Sequence, residues 1–109
     1  MNYNELKEKA HANAVNHGFW QERLSNEHYL MLVITEIAEV IEADRKNRRA
    51  FLVQFEAGLK YTPKNVTHNE RFVSVFNNVI KSSIEDEMAD IAIRLADLAG
   101  ALGIDFDKM

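Results

Sequence analysis

From Ser82 to Gly103 the chain carries apolar residues on more sides of one helix than a surface helix uses. At about 100° per residue, Ile84, Met88, Ile91, Leu95, Leu98 and Leu102 form one stripe, and Ala89, Ile93, Ala96 and Gly100 form a second small or apolar surface. A narrow ribbon of Glu87, Asp90, Arg94 and Asp97 runs between them. A helix that is apolar over most of its circumference is covered on more than one side. Its acids are then held between packed surfaces rather than spread over a wet face. Carboxylates in such a place must be paired or bind metal. Arg94, four residues from Asp90, can pair with one of them and cannot neutralise all.

The rest of the pattern is helical too. Residues 3–16 read as a first helix with a thin apolar face of Leu6, Ala10, Ala14 and Val15, stopped at His17-Gly18 by a left-handed glycine. A second helix runs from a Ser25-Asn26 cap to about Asn47, apolar through Leu30, Val33, Ile34, Ile37, Val40 and Ile41. Glu36 flanks that face, and Glu39 and Glu42 lie further round. Taken alone this helix reads as amphipathic with a solvated acidic side; only Leu32 and Ala43 hint at a cover. Residues 50–66 are the least regular: 50–55 read as a helical extension or a short apolar loop, and Gly58 and Pro63 break the segment. Residues 68–80 give another helix through Phe72, Val75, Phe76, Val79 and Ile80, and Ser82-x-x-Glu85 reads as a capping box opening the last one. One Pro and four Gly in 109 residues argue against a turn-rich β structure. The expected fold is an all-α bundle of four to five helices in a single domain, residues 1–109, with 44–81 as a basic, partly irregular insert.

Several classes drop out. No apolar run reaches the roughly 18 residues of a membrane span, and Met1 is followed by polar Asn2-Tyr3-Asn4-Glu5, so neither a membrane segment nor a signal peptide is expected. With no Cys there is no disulfide or thiolate chemistry, and the cytoplasm is the expected location. The net charge of −4 conceals a segregation: residues 45–81 hold eight basic residues and two acidic ones. A basic segment beside an acidic body suits a metal site that receives a polyanion, and it equally suits an exposed segment decorated with cations. Nucleic-acid binding through this segment is disfavoured by the overall acidity and by the lack of a known motif.

The acids occur as two pairs, Glu36-x-x-Glu39 and Glu87-x-x-Asp90. Residues three apart are neighbours on a helix, so two such helices packed together would gather four mutually repelling carboxylates. A divalent cation relieves that repulsion. Magnesium prefers hard oxygen ligands and keeps several waters. Ions held by carboxylates can grip a triphosphate and lower the pKa of a bound water.

At these residues the chain resembles the all-α nucleoside triphosphate pyrophosphohydrolases of the MazG-like superfamily. The matching stretches are Thr35-Glu36-Ile37-Ala38-Glu39-Val40-Ile41-Glu42-Ala43 and Glu85-Asp86-Glu87-Met88-Ala89-Asp90-Ile91, with the continuation from Ile93 to Asp105 and the approach His28-Tyr29-Leu30-Met31-Leu32. The resemblance covers roughly residues 25–49 and 82–106, and the middle segment is longer than in compact members. It implies an enzyme, dependent on Mg2+ with Mn2+ as a substitute, that cuts a nucleoside triphosphate between the α and β phosphates. Glu36, Glu39, Glu87 and Asp90 would be the metal ligands, and one of them or Asp86 would orient the attacking water. Where dCTP-type members have a tyrosine this chain has Arg94, which puts nucleotide preference in doubt and offers a phosphate contact. Trp20 reads either as a base-stacking residue or as a core plug. Lys46, Arg48 and Arg49 suit phosphates or simply a helix C-terminus. On the substrate side stand Trp20, Lys46, Arg49, Arg94 and Asp97. Members commonly assemble as dimers or tetramers, so a homodimer or homotetramer is expected. The alternative is a non-catalytic helical module that senses nucleotides or binds a protein.

Overall fold

A computed structural model describes residues 1–61 and 63–109. Thr62, inside the segment expected to be irregular, lies outside the described residues. Five α-helices follow one another: α1 (Tyr3–Asn16), α2 (Asn26–Arg45), α3 (Leu52–Leu59), α4 (His68–Val79) and α5 (Ile84–Leu102). A 3-10 turn, Phe106–Lys108, closes the chain. The described residues contain no strand, so the all-α expectation agrees with the structure. Among them no helix is long and apolar enough to cross a membrane.

Local chemistry sets the helix ends. Asn2 caps α1 by accepting from the Glu5 N–H at 2.8 Å, and Gly18, at φ 80°, supplies the left-handed stop after it. Ser25 Oγ accepts from His28 N at 3.2 Å at the start of α2. That helix ends on Asn47 at φ 54°, with Arg48 N donating to Ala43 O at 2.9 Å, the reach-back bond of a left-handed C-terminal cap.

Two expectations are corrected. Of the two readings of residues 50–55 the helical one holds, as the separate helix α3 rather than an extension of α2. Gly58 does not break that helix; it lets Val75 approach, since a Cβ there would lie 2.9 Å from Val75 Cγ1. The cap of α5 is Ser83, not Ser82. Ser83 Oγ accepts from Asp86 N at 3.1 Å, and Asp86 Oδ2 reaches back to accept from Ser82 N at 2.8 Å. The reciprocal logic of a capping box holds, shifted by one residue because Ser82 takes up a left-handed φ of 64°.

The chain divides into two compact units, Met1–Ala38 with Ala89–Met109, and Glu39–Met88. In the first unit α1 is stitched to the C-terminal turn. Asn4 Nδ2 donates to Asp105 and Asp107, its Oδ1 accepts from Phe106 N, and Lys7 Nζ donates to Ile104 O. Asp105 is pulled below the usual carboxylate range, chiefly by the Asn4 hydrogen bond. Gly100 of α5 meets α1 directly, since a Cβ there would fall 2.5 Å from the Cβ of His11. The core of this unit is Tyr29, Val33, Ala96, Leu98 and Ala99. In the second unit α3 packs on α4 through Phe55, which meets Phe72 and Phe76 edge-on at 5.6 and 6.3 Å. Arg71 Nε donates to Gly58 O at 3.0 Å, and Ala43, Val75 and Ile80 are buried.

The apolar stripes behave differently from the expectation. On α5 the buried turn is Ala96-Asp97-Leu98-Ala99, while Met88, Leu95 and Leu102 of the main stripe are 42–57% exposed. On α2, Val33 is buried but Leu30, Ile34, Ile37 and Ile41 are 44–54% exposed. Small side chains at Ala96, Ala99 and Gly100 allow close approach on one side of α5, and that side takes the packing. Of the bulkier stripe Leu98 goes inside and Ile84 and Ile91 are half-buried, while Met88, Leu95 and Leu102 stay on the surface of the single chain.

Candidate functional site

In the first unit, α2 supplies Glu36 and α5 supplies Asp90, Arg94 and Asp97 to one cavity of about 330 Å3, with Phe19 and His17 on its rim. Glu36 is only 8% exposed. Its Oε1 accepts from Arg94 Nε at 2.9 Å, so the guanidinium expected to serve Asp90 by helical spacing makes this bond across to another helix. A carboxylate taken out of water needs such a charge-assisted partner. The ribbon read from the sequence is real in this respect: Glu87 and Asp97 are also buried, and Asp90 and Arg94 are half-buried.

Asp97 is committed within the same unit. Its Oδ1 accepts from Trp20 Nε1 at 2.8 Å and lies 2.9 Å from His11 Nδ1. Trp20 in turn stacks on Tyr29 with centroids 4.5 Å apart, and Arg23 lies 5.1 Å from both rings, within cation–π reach. Trp20 is therefore half-buried and held by its polar handle, with one side in a shallow cleft beside Phe19, Arg94 and Leu98. No local signal could have found His11, because 86 residues separate it from its partner.

In the second unit, Glu39 and Glu87 each offer a carboxylate oxygen, within 4.8 Å of each other. Glu39 is exposed and Glu87 is 8% exposed. They line a cavity of about 180 Å3 with Glu42, Ala43, Arg48 and Ser82. Both donors are hard oxygens, one from each of two helices, the ligand class that magnesium prefers. Glu42 is drawn off by Lys46 at 2.9 Å, four residues on, and the Lys46 hydrogen bond holds its carboxyl below the usual range.

The remaining candidates fall elsewhere. Lys46 pairs with Glu42 and lines none of these cavities. Arg49 Nε donates to Glu85 Oε1 at 3.1 Å. That bond, aided by the Ala50 N–H, keeps Glu85 below its ordinary pKa. Asp86 is occupied in capping α5. Glu36 and Asp90 thus share one cavity, and Glu39 and Glu87 share another. Compared with known proteins, the chain matches no family model, no curated protein and no solved structure.

Proposed function

We propose that the protein is a MazG-like, magnesium-dependent nucleoside triphosphate pyrophosphohydrolase that releases a nucleoside monophosphate and pyrophosphate. The observation that carries this reading is the Glu39–Glu87 pair, two carboxylates from different helices within 4.8 Å beside the Arg48 cation. Glu39 and Glu87 would hold the ion, and the resemblance gives Glu36 and Asp90 the same role. Bound there, magnesium supplies charge neutralisation on phosphoryl oxygens and a more acidic water. The chain's own part is placement. Burial and the Arg94 bond fix Glu36, and fixed ligands need no reorganisation when charge develops. Asp97 holds the Trp20 ring against Tyr29, which favours the core-plug reading of that residue over base stacking. The decisive experiment is pyrophosphate release from a panel of canonical and modified nucleoside triphosphates, with magnesium and with EDTA. Magnesium-dependent pyrophosphate plus monophosphate is expected, and silence across the panel from folded protein would sink the reading.

The same reading makes the working form a homo-oligomer. Support comes from Leu30, Ile34 and Ile37, half-exposed on α2 in the first unit at the four-three spacing of a helix–helix seam. Contiguous apolar surface of this kind marks an interaction face. Sedimentation of the wild type is expected to give a dimer or tetramer, and Ile34→Glu with Ile37→Glu a smaller species. Identical sedimentation of the two would exclude this seam.

A further inference from the structure

The second unit contains a cavity that the acidic pairs do not touch. It measures about 340 Å3, and its walls include Arg48, Arg49, Lys81, Asn47, Asn78 and Ser83. That volume falls within the ~300–1,000 Å3 of small-ligand pockets. Among the described residues no carboxylate lines it. Glu85 pairs with Arg49 at 3.1 Å. Arg48 and Lys81 bring two cations to one hollow, with Arg49, whose charge Glu85 offsets, beside them, and guanidinium and ammonium groups can only donate hydrogen bonds. The two carboxamides and the hydroxyl add further polar groups. An anion with several oxygens and more than one charge answers all of these at once, and the planar arginine fork matches phosphate geometry.

The cavity is also built in advance. Segment 48–51 is fastened to the α4–α5 junction by four hydrogen bonds. Ile84 N donates to Arg48 O at 2.9 Å, Phe51 N to Val79 O at 3.0 Å, and Arg49 Nε and Ala50 N each donate to Glu85 at 3.1 Å. The backbone of both arginines is thereby held before any ligand arrives, which lowers the entropy cost of binding. The Lys81 backbone is held as well, its N–H donating to Phe76 O at 2.9 Å.

We propose that this cavity is a binding site for a phosphate-class polyanion, either free pyrophosphate or the phosphate tail of a nucleotide. Arg48 also lines the Glu39–Glu87 cavity, so the anion lies next to that pair. The site stands on its lining residues and holds whether or not the acidic pair hydrolyses anything. Its test therefore omits divalent ions: calorimetric titration of the full chain with sodium pyrophosphate in EDTA. Saturable binding is expected. Lys81→Ala, an exposed side chain on the cavity wall, should weaken it about tenfold, the scale of one charge-assisted hydrogen bond. Lys64→Ala, an exposed lysine away from the cavity, should leave the affinity unchanged. A nucleoside triphosphate that displaces pyrophosphate and binds more tightly identifies the nucleotide tail as the ligand, and one that fails to compete identifies free pyrophosphate. Absence of saturable binding, or equal loss in both lysine variants, overturns the proposal. Because no hydrolysis occurs in EDTA, failure here and failure of the activity panel are read separately.

Discussion

Asp97→Ala is expected to lower the unfolding free energy by about 3 kcal/mol, from the ~1.5–3 kcal/mol carried by each hydrogen bond to a charged group. Asp97 is 7% exposed, and its Oδ1 serves both Trp20 Nε1 and His11 Nδ1. Alanine leaves an indole N–H and an imidazole nitrogen facing a small void, and the indole loses its acceptor in a place water enters poorly. Against the ~5–15 kcal/mol of a whole domain this is a large fraction. Asp97→Asn keeps an oxygen at the same position and should cost less than half as much. Urea titration measures both, and Trp20 is the chain's single tryptophan, so its emission reports the same site in the folded state. A loss below about 1 kcal/mol, the net worth of one ordinary hydrogen bond, would mean that water replaces the carboxylate and that Asp97 does not anchor the ring.

Glu39→Gln should leave the fold intact and abolish the proposed hydrolysis. Glu39 is exposed on α2, and surface replacements away from special features stay within about 0.5 kcal/mol. The amide keeps the shape of the side chain and removes its charge. Losing a ligand that contributes several kcal/mol of transition-state charge stabilisation corresponds to about a thousandfold in rate, at tenfold per ~1.4 kcal/mol. Magnesium bound at the proposed site would stabilise the wild type by mass action, about 2.7 kcal/mol at a hundredfold excess over the dissociation constant, and the same variant should lose that stabilisation. Calorimetric melting with magnesium and with EDTA reads this without any substrate. Retained turnover would remove Glu39 from the chemistry, and a wild type that magnesium does not stabilise would remove the ion from the Glu39–Glu87 cavity.

The two acidic motifs had different legibility. On α5 the ribbon stood out because apolar residues crowd it from both sides, and Glu87 and Asp97 are indeed buried. On α2 the sequence left Glu36 on the flank of an amphipathic face, and only the structure shows it 8% exposed and bonded to Arg94. Periodicity ranks faces by hydrophobicity. It does not say which face a neighbour covers, so Ile34 and Ile37 came out half-exposed while the turn at Ala96–Ala99 went inside.

What the sequence determined by itself is what depends on neighbours a few residues apart. That covers α1, α2, α4 and α5, the left-handed stops at Gly18 and Gly103, and the spacing that sets Glu36 by Glu39 and Glu87 by Asp90. Helical hydrogen bonds and caps span three to five residues, so their rules are local. Tertiary structure decided the partners: Arg94 with Glu36 across 58 residues, Trp20 and His11 with Asp97 across 77 and 86. It also decided the cap at Ser83 and the gathering of Arg48, Arg49 and Lys81 around one hollow. These depend on where the chain returns in space, and a charged side chain carries no mark of the distant group that will meet it.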